Sequence, residues 1–207
     1  MEIIKAKSGD AIRKAHSVLK DGGVVMHATE TCYGLAADIF NESALRKVYS
    51  LKKMDESKPI SIMVQDLSEA ERYAEFNEGA LRLAKRFWPG PLTIILPERD
   101  TLPTFFNRSH SFVGIRNPDS SVSKEILDIF DGPLTTTSAN ISGEAECYSV
   151  EDYLVQIEGA DSSPDLIIDS GEIVREKPST IVQAEGERFI FVREGSLFKE
   201  VKIFLGM

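Results

Sequence analysis

Short apolar runs alternate with helix-like patterns along almost the whole chain, and this alternation limits the possible folds more than any other feature of the sequence. The apolar runs have the length and the flanking turn residues of β-strands. They are Glu2–Ala6, Val24–His27, Ile60–Val64, Leu92–Leu96, Phe112–Arg116, Leu134–Thr137, Leu166–Ile168, Thr180–Gln183 and Phe189–Val192. Strands interleaved with helices are typical of α/β proteins, in which helices cover a sheet.

The intervening helices are predicted from their start signals and from apolar residues on one face. The expected N-caps are Asp10 or Ser8, Asn41, Asn77, Asp119 and Ser149, the last in a capping-box pattern with Asp152. The final two strands are too close for a crossover helix, so we expect a hairpin. The sequence predicts one α/β domain over residues 1–207, with a twisted, mixed parallel and antiparallel sheet flanked by helices and an open ligand cleft.

The charge balance restricts the classes of partner. Asp and Glu total 33 against 24 Lys and Arg, which gives a formal net charge of -9. Non-specific binding to nucleic acid relies on neutralised phosphates, so this charge argues against it, although a local basic pocket stays compatible. Two cysteines are too few for a disulfide framework, and no apolar stretch approaches the ~18 residues of a membrane span. We expect a cytoplasmic protein with no membrane partner.

Two hydroxyl-rich segments follow predicted strands, where ligands bind in open α/β sheets. Residues 29–35 read Thr-Glu-Thr-Cys-Tyr-Gly-Leu, and residues 135–143 read Thr-Thr-Thr-Ser-Ala-Asn-Ile-Ser-Gly. Hydroxyls and backbone N–H groups in such loops hold phosphate or ribose oxygens in many proteins. By pattern alone, each segment fits a plain polar turn about equally well. Cys32 has no evident histidine partner, so a structural thiol is the simpler interpretation.

Cationic residues mark a second set of candidate positions. Residues 51–59 are rich in lysine and separate a predicted helix from a strand. Lysines there usually complement the helix dipole at the surface, and the alternative is a mobile loop that gathers phosphates or carboxylates. Arg116 and Arg193 close predicted strands, and a buried arginine requires an anionic partner, most often a protein carboxylate. The residues alone therefore indicate a cation-lined cleft for an anionic ligand, in an enzyme or in a nucleotide-binding module.

Several segments, each a modest signal alone, stand in an order and spacing that match a known family. They are Ala28–Leu35, Phe87–Thr93, Val113–Pro118, Ser138–Gly143, Pro178–Val182 and Arg193–Gly195. Together they resemble the YrdC-type threonylcarbamoyl-AMP synthases over about residues 8–200. The resemblance implies a YrdC-like fold and a single catalytic domain, without the C-terminal extension domain of longer relatives.

The resemblance also implies a reaction and its partners. L-threonine and bicarbonate form an N-carboxylated threonine, which attacks the α-phosphate of ATP. Threonylcarbamoyl-adenylate and pyrophosphate result, with Mg²⁺ assisting. Downstream threonylcarbamoyl transferase proteins then modify tRNA, which a synthase of this kind contacts only indirectly or weakly. Such an enzyme is a nucleotidyltransferase.

By position, the resemblance assigns two groups of side chains to the ligands. The group expected at L-threonine is Thr31, Arg116, Thr136 and Ser179. The group expected at the nucleotide is Lys52, Ser138, Asn140 and Arg193. Lys52 and Arg116 are the expected catalytic residues, because adenylation develops charge on phosphates that fixed cations stabilise. No protein side chain is identified as a metal ligand.

The sequence departs from the family pattern at the expected phosphate end. Met54 stands where the family usually has the arginine of a Lys-x-Arg motif, and Ala28 and Thr137 stand where it usually has prolines. Lys53 or Lys58 could replace the missing charge but not the forked geometry of a guanidinium.

Two other functions remain open from the sequence. The first is an RNA-binding or ribosome-assembly module, for which strong, salt-sensitive RNA binding would be diagnostic. The second is a carbamoyl-handling domain with another acceptor, which would accept amino acids other than threonine. The net charge of -9 disfavours the first.

Overall fold

The computed structural model describes all 207 residues of the chain. The strands are β1 (Glu2–Lys5), β2 (Val25–Ala28), β3 (Tyr33–Ala36), β4 (Ser61–Met63), β5 (Leu92–Pro97), β6 (Phe112–Arg116), β7 (Leu134–Ser138), β8 (Leu166–Asp169), β9 (Thr180–Glu185) and β10 (Arg188–Arg193). The helices are α1 (Ala11–Lys20), α2 (Glu42–Leu51), α3 (Leu67–Tyr73), α4 (Glu78–Phe87), α5 (Ser121–Phe130), α6 (Val150–Gln156) and α7 (Phe198–Phe204). None of these helices has both the length and the apolarity needed to cross a bilayer.

All the strands belong to one ten-stranded sheet, in the order β1-β8-β2-β3-β7-β4-β6-β5-β9-β10. The sheet contains parallel pairs such as β4–β6 and β5–β9 and antiparallel pairs such as β3–β7 and β5–β6. The hairpin predicted near the C-terminus is confirmed, with β9 and β10 antiparallel and Glu185 opposite Arg188. The predicted mixed α/β fold is therefore confirmed.

Three apolar clusters pack the helices against this sheet. The largest joins Ile62, Ile94 and Ile115 of three neighbouring strands to Leu83 of α4. Each such side chain contributes about 1.5–3 kcal/mol by leaving water. Every residue of β2 and β3 is buried. Their polar ends are therefore held by a rigid support, which is what a binding site requires.

Three elements were absent from the sequence prediction. Strand β3 is four residues long, contains Gly34 and lies in a segment interpreted as a polar turn. It becomes a strand because β2 and β7 pair with it on both sides, a tertiary effect that local propensity does not report. Helices α3 and α7 have seven residues each, too few for a clear apolar period, whereas the equally short α6 was predicted from its capping box.

Most of the predicted helix starts are confirmed by side-chain hydrogen bonds. Asn41 accepts from the Ala44 N–H at 3.1 Å, and Asn77 accepts from the Ala80 N–H at 2.7 Å. Ser149 and Asp152 form the predicted capping box. These caps satisfy N–H groups that the first helical turn leaves unpaired.

Two of the predicted caps were wrong. Ser120, not Asp119, caps α5, because the Asp119 N–H is directed to the Glu30 carboxylate and the helix begins one residue later. Helix α1 does begin after Asp10, but neither Asp10 nor Ser8 provides a side-chain cap. The Asp10 carboxylate pairs with Arg13 instead.

Candidate active site

A cleft of about 210 Å³ gathers most of the side chains that the sequence assigned to ligands. Those that line it are Thr31, Arg116, Thr136, Ser138, Ser179 and Arg193. They come from the β2–β3 turn, the ends of β6 and β10, strand β7 and the residue before β9. Cavities of about 490 and 750 Å³ lie elsewhere and contain none of them. The candidate site is therefore identified by the convergence of polar groups and not by the volume of the cavity.

The β2–β3 turn is organised by the Thr29 hydroxyl. It accepts from the backbone N–H groups of Thr31 and Cys32 at 3.1 and 3.3 Å and donates to the Cys32 carbonyl at 2.7 Å. A Cβ at Gly34 would lie 3.2 Å from the Thr137 carbonyl, so glycine allows the close approach of β3 and β7. The turn thus presents Thr31 in one fixed position at the cleft wall.

Arg116 is anchored by a residue to which sequence reasoning gave no role. Its Nη2 lies 2.8 Å from the Glu30 carboxylate and donates to the Thr31 hydroxyl at 3.2 Å. Glu30 also accepts from the Asp119 N–H at 3.0 Å. The predicted anionic partner of Arg116 is therefore a protein carboxylate. Glu30 is the acidic residue of the first hydroxyl-rich segment, and this position was the sequence signal that could have identified it as the partner of Arg116.

Lys52 does not line the cleft, and the surface position that we considered for it is wrong. It is 4% exposed, and its ammonium donates to the carbonyls of Ser138 and Asn140 and to the Asn140 side chain. Burial lowers the pKa of the Lys52 ammonium to about 8. The ammonium therefore holds the 138–140 loop from behind.

Asn140 is also behind the cleft wall. Its side-chain oxygen accepts from the Ser138 hydroxyl at 2.5 Å, and its amide nitrogen donates to the carbonyls of Ile141 and Glu144 at 3.0 and 2.7 Å. These bonds brace the loop that presents Ser138. In this structure Asn140 shapes the cleft without reaching its surface.

Ser179 and Arg193 meet at the other wall of the cleft. Arg193 donates to the Ser179 hydroxyl at 2.7 Å and to its carbonyl at 2.9 Å. The Ser179 hydroxyl also lies 3.2 Å from that of Thr93. A Cβ at Gly195 would lie 2.1 Å from the Pro178 carbonyl. Only glycine therefore allows the segment after β10 to lie this close to the segment before β9.

Glu146 lines the cleft and was missed by the sequence analysis. The Tyr33 N–H donates to the Cys147 carbonyl at 2.9 Å, and this bond draws the segment containing Glu146 against β3. The Tyr148 hydroxyl lies 3.3 Å from one Glu146 oxygen. No sequence signal marked this residue, because its position depends on the path of an irregular loop.

The Cys32 thiol is almost fully buried at the cleft wall. Burial raises its pKa to about 11, so the thiol is protonated near neutral pH. A nucleophilic cysteine needs the opposite shift. This environment agrees with the interpretation of Cys32 as a structural thiol.

The side chains of the cleft do not form a complete metal site by themselves. No group of three or more His, Cys, Asp or Glu side chains is arranged to hold a metal ion. Mg²⁺, however, is often bound by one or two carboxylates together with substrate phosphates. Glu146 is the carboxylate at the cleft surface. The donor set therefore fits an ion that arrives with a phosphate ligand.

The residues around Met54 bring no cation to the cleft. Met54 packs against the apolar cluster that includes Val48 and Leu51. Lys53 and Lys58 are exposed, and neither lines the cleft. In this structure the charge of the family's usual arginine is not replaced by either lysine.

The fold and the cleft together define an α/β protein with a polar cleft that is lined by hydroxyls and two arginines. The model of the Sua5/YciO/YrdC family, described as "Telomere recombination", matches residues 17–195. The chain belongs to this family.

Curated relatives carry a more specific name. A protein of Methanocaldococcus jannaschii, named as a candidate threonylcarbamoyl-AMP synthase, is 39% identical over 175 residues, which cover 84% of this chain and 81% of the relative. The threonylcarbamoyl-AMP synthase of Pyrococcus abyssi is 31% identical over 201 residues. That match covers 94% of this chain but 57% of the relative, so the chain spans little more than half of that protein. These names agree with the predicted enzyme class, a nucleotidyltransferase.

Solved structures of P. abyssi Sua5 confirm the fold. A double variant has a TM-score of 0.91 at 30% identity, and the match covers 99% of this chain and 64% of that one. The complex of P. abyssi Sua5 with L-threonine has a TM-score of 0.89 at 29% identity, covering 99% of this chain and 60% of that one.

Proposed function

We propose that the chain is a threonylcarbamoyl-AMP synthase that converts L-threonine, bicarbonate and ATP into threonylcarbamoyl-adenylate, pyrophosphate and water. The main support is the convergence of hydroxyls and two arginines from distant segments on one cleft. The names of the relatives support the same activity, and one related structure holds L-threonine. We propose that residues 1–207 form one catalytic domain that acts in the cytoplasm.

The threonine end of the cleft is proposed to lie at Arg116. Its guanidinium is held by Glu30 and Thr31, and a forked guanidinium matches a carboxylate in geometry. The substrate carboxylate would meet Arg116, with Thr31, Thr136 and Ser179 around the rest of the molecule. Because these positions are fixed by β-strands and tight turns, the substrate amine would be oriented before reaction.

The nucleotide end is proposed to lie between Ser138 and Arg193. The Ser138 hydroxyl and the Arg193 guanidinium would bind phosphate oxygens, whose charge increases as pyrophosphate leaves. Lys52 and Asn140 would act by holding the 138–140 loop in place. A direct contact between Lys52 and phosphate would require its ammonium to leave three oxygen acceptors.

The proposed chemistry requires no protein nucleophile. A carbamate oxygen of N-carboxythreonine attacks the α-phosphorus, the bond to the pyrophosphate oxygen breaks, and the pyrophosphate leaves. Positioning of two anionic reactants supplies much of the acceleration, because their encounter in water is opposed by entropy and by like charge. Mg²⁺ bound with ATP would neutralise phosphate charge, and Glu146 is the cleft residue suited to hold it.

The product is a reactive mixed anhydride, and a transferase is proposed to pass its threonylcarbamoyl group to tRNA. The synthase itself does not need to bind tRNA tightly for this transfer. Its net charge of -9 agrees with indirect or weak contact.

Pyrophosphate release tests the proposal. Purified protein with Mg²⁺, ATP, threonine and bicarbonate should release pyrophosphate only when all three reactants are present. Release without threonine would contradict it. Equal release with several other amino acids would favour a carbamoyl-handling domain with another acceptor. Tight, salt-sensitive binding of RNA, without pyrophosphate release, would favour an RNA-binding module.

A further inference from the structure

The Glu146 carboxylate is the one acidic group at the surface of the cleft, and it forms no ion pair. It is half-buried, and none of the ion pairs of the structure includes it. Its hydrogen-bond donor is the Tyr148 hydroxyl at 3.3 Å, which also lies 3.3 Å from the Glu176 carbonyl. At least one carboxylate oxygen is therefore free to accept another ligand.

The cations around the cleft form their hydrogen bonds with groups other than Glu146. Arg116 is already paired with Glu30, and Arg193 is directed to Ser179. Lys52 is turned to the back of the 138–140 loop. A triphosphate brings several negative charges, more than Arg193 alone balances beside Glu146, so a further cation would stabilise its binding.

We infer that Glu146 is a ligand of the divalent cation that enters the cleft with the nucleotide phosphates, an inference that rests on the proposed function. Magnesium keeps several waters and is commonly held by one or two carboxylates plus phosphate oxygens. One free carboxylate at a cleft for a nucleotide satisfies that requirement. The cation then removes the repulsion between Glu146 and the phosphates.

The other cation that could meet Glu146 is the ammonium of the amino-acid substrate. A carboxylate beside an ammonium stabilises the protonated amine. The amine must be neutral to attack the carbon of the bicarbonate-derived group, so Glu146 at that position would oppose the proposed reaction. This makes the metal the better partner.

The test compares wild-type protein with Glu146→Gln and with Glu144→Gln as a matched control. Glu144 is exposed in the same loop, and the contact it makes there is through its backbone carbonyl, which accepts from the Asn140 side-chain amide. Calorimetry would measure the affinity for a non-hydrolysable ATP analogue with and without Mn²⁺. Electron paramagnetic resonance would count the Mn²⁺ ions left free in the same mixtures.

We expect Glu146→Gln to weaken binding of the Mn²⁺–analogue complex by about tenfold or more, while affinity for the metal-free analogue is unchanged or increased. Glu144→Gln should match wild type, and Glu146→Asp should recover part of the metal affinity. Unchanged Mn²⁺ binding in Glu146→Gln, or a loss of threonine affinity in its place, would overturn the inference. Wild-type protein that binds no analogue in either form would contradict the proposed function itself.

Discussion

The Glu30 carboxylate and the Arg116 guanidinium lie 2.8 Å apart at the cleft wall, with side chains only 18% and 7% exposed. Removing one partner of such a pair leaves the other buried without compensation, at a cost of about 3 kcal/mol. We therefore predict that Glu30→Gln lowers the free energy of unfolding by about that amount. Urea denaturation followed by circular dichroism would measure it.

A matched control for this pair is Glu42→Gln. Glu42 pairs with Arg46 and Arg108 at the exposed surface, where water screens the interaction. Its replacement should have little effect on stability. Equal stability of Glu30→Gln and wild type would show that the buried pair does not hold Arg116 in place.

Lys52 should be needed for activity although it does not reach the cleft surface. Its ammonium braces the loop of Ser138 and Asn140, and small displacements of a catalytic loop cost about a hundredfold in rate. We predict that loss for Lys52→Met in pyrophosphate release. Lys53→Met, at the exposed neighbouring position, should retain wild-type turnover. Equal loss in both variants would contradict the brace.

From the lowered pKa of Lys52 we predict that activity declines at alkaline pH. Burial lowers the pKa of Lys52 to about 8, so its positive charge is present below that pH and is lost as the pH rises through it. Turnover at saturating substrates should fall above about pH 8. A profile that stays flat to strongly alkaline pH would show that the charge is dispensable.

His27 should destabilise the protein in acid. Burial lowers the pKa of its imidazole from 6.5 to about 4, with nearby Arg116 adding a smaller effect. In the unfolded chain His27 binds a proton below about pH 6.5, whereas in the folded chain it binds one only below about pH 4. The free energy of unfolding therefore falls as the pH decreases through this window. The full effect is about 3 kcal/mol.

The contribution of His27 is measured as a difference in pH dependence. Unfolding free energies of wild type and His27→Gln at pH 7 and pH 4.5 should diverge, with the smaller decrease in the variant. His16→Gln, on helix α1, should keep the wild-type decrease. Parallel curves for all three proteins would contradict the assignment to His27.

Gly195 should tolerate no side chain. A Cβ there would lie 2.1 to 2.4 Å from backbone atoms of Pro178, Ser179 and Thr180, so the segment that presents Ser179 would have to move. We predict that Gly195→Ala costs about 1–3 kcal/mol in stability and also reduces turnover. Gly9→Ala is the control, because no atom lies within 4 Å of its Cβ position. Thermal unfolding and pyrophosphate release would measure both effects.

The sequence was most informative where a local pattern determined the structure. Asn41 and Asn77 were predictable caps because their hydrogen bonds span three residues. The mixed sheet followed from strand spacing, and motif order placed Arg116 and Ser179 at one cleft.

The features that the sequence did not predict depend on contacts between distant segments. Strand β3 exists because two neighbours pair with it. Lys52 is buried because a loop more than 80 residues away supplies its acceptors. Glu146 reaches the cleft because a backbone bond draws its loop to Tyr33. None of these relationships has a period or a spacing that a single sequence displays.

The most direct test of the proposed activity is mass spectrometry of the nucleotide product formed with carbon-13 bicarbonate. We predict threonylcarbamoyl-adenylate that is one mass unit heavier than the product from unlabelled bicarbonate, with pyrophosphate in equal amount. Unlabelled threonyl-adenylate, or no adenylate beside intact ATP, would contradict it.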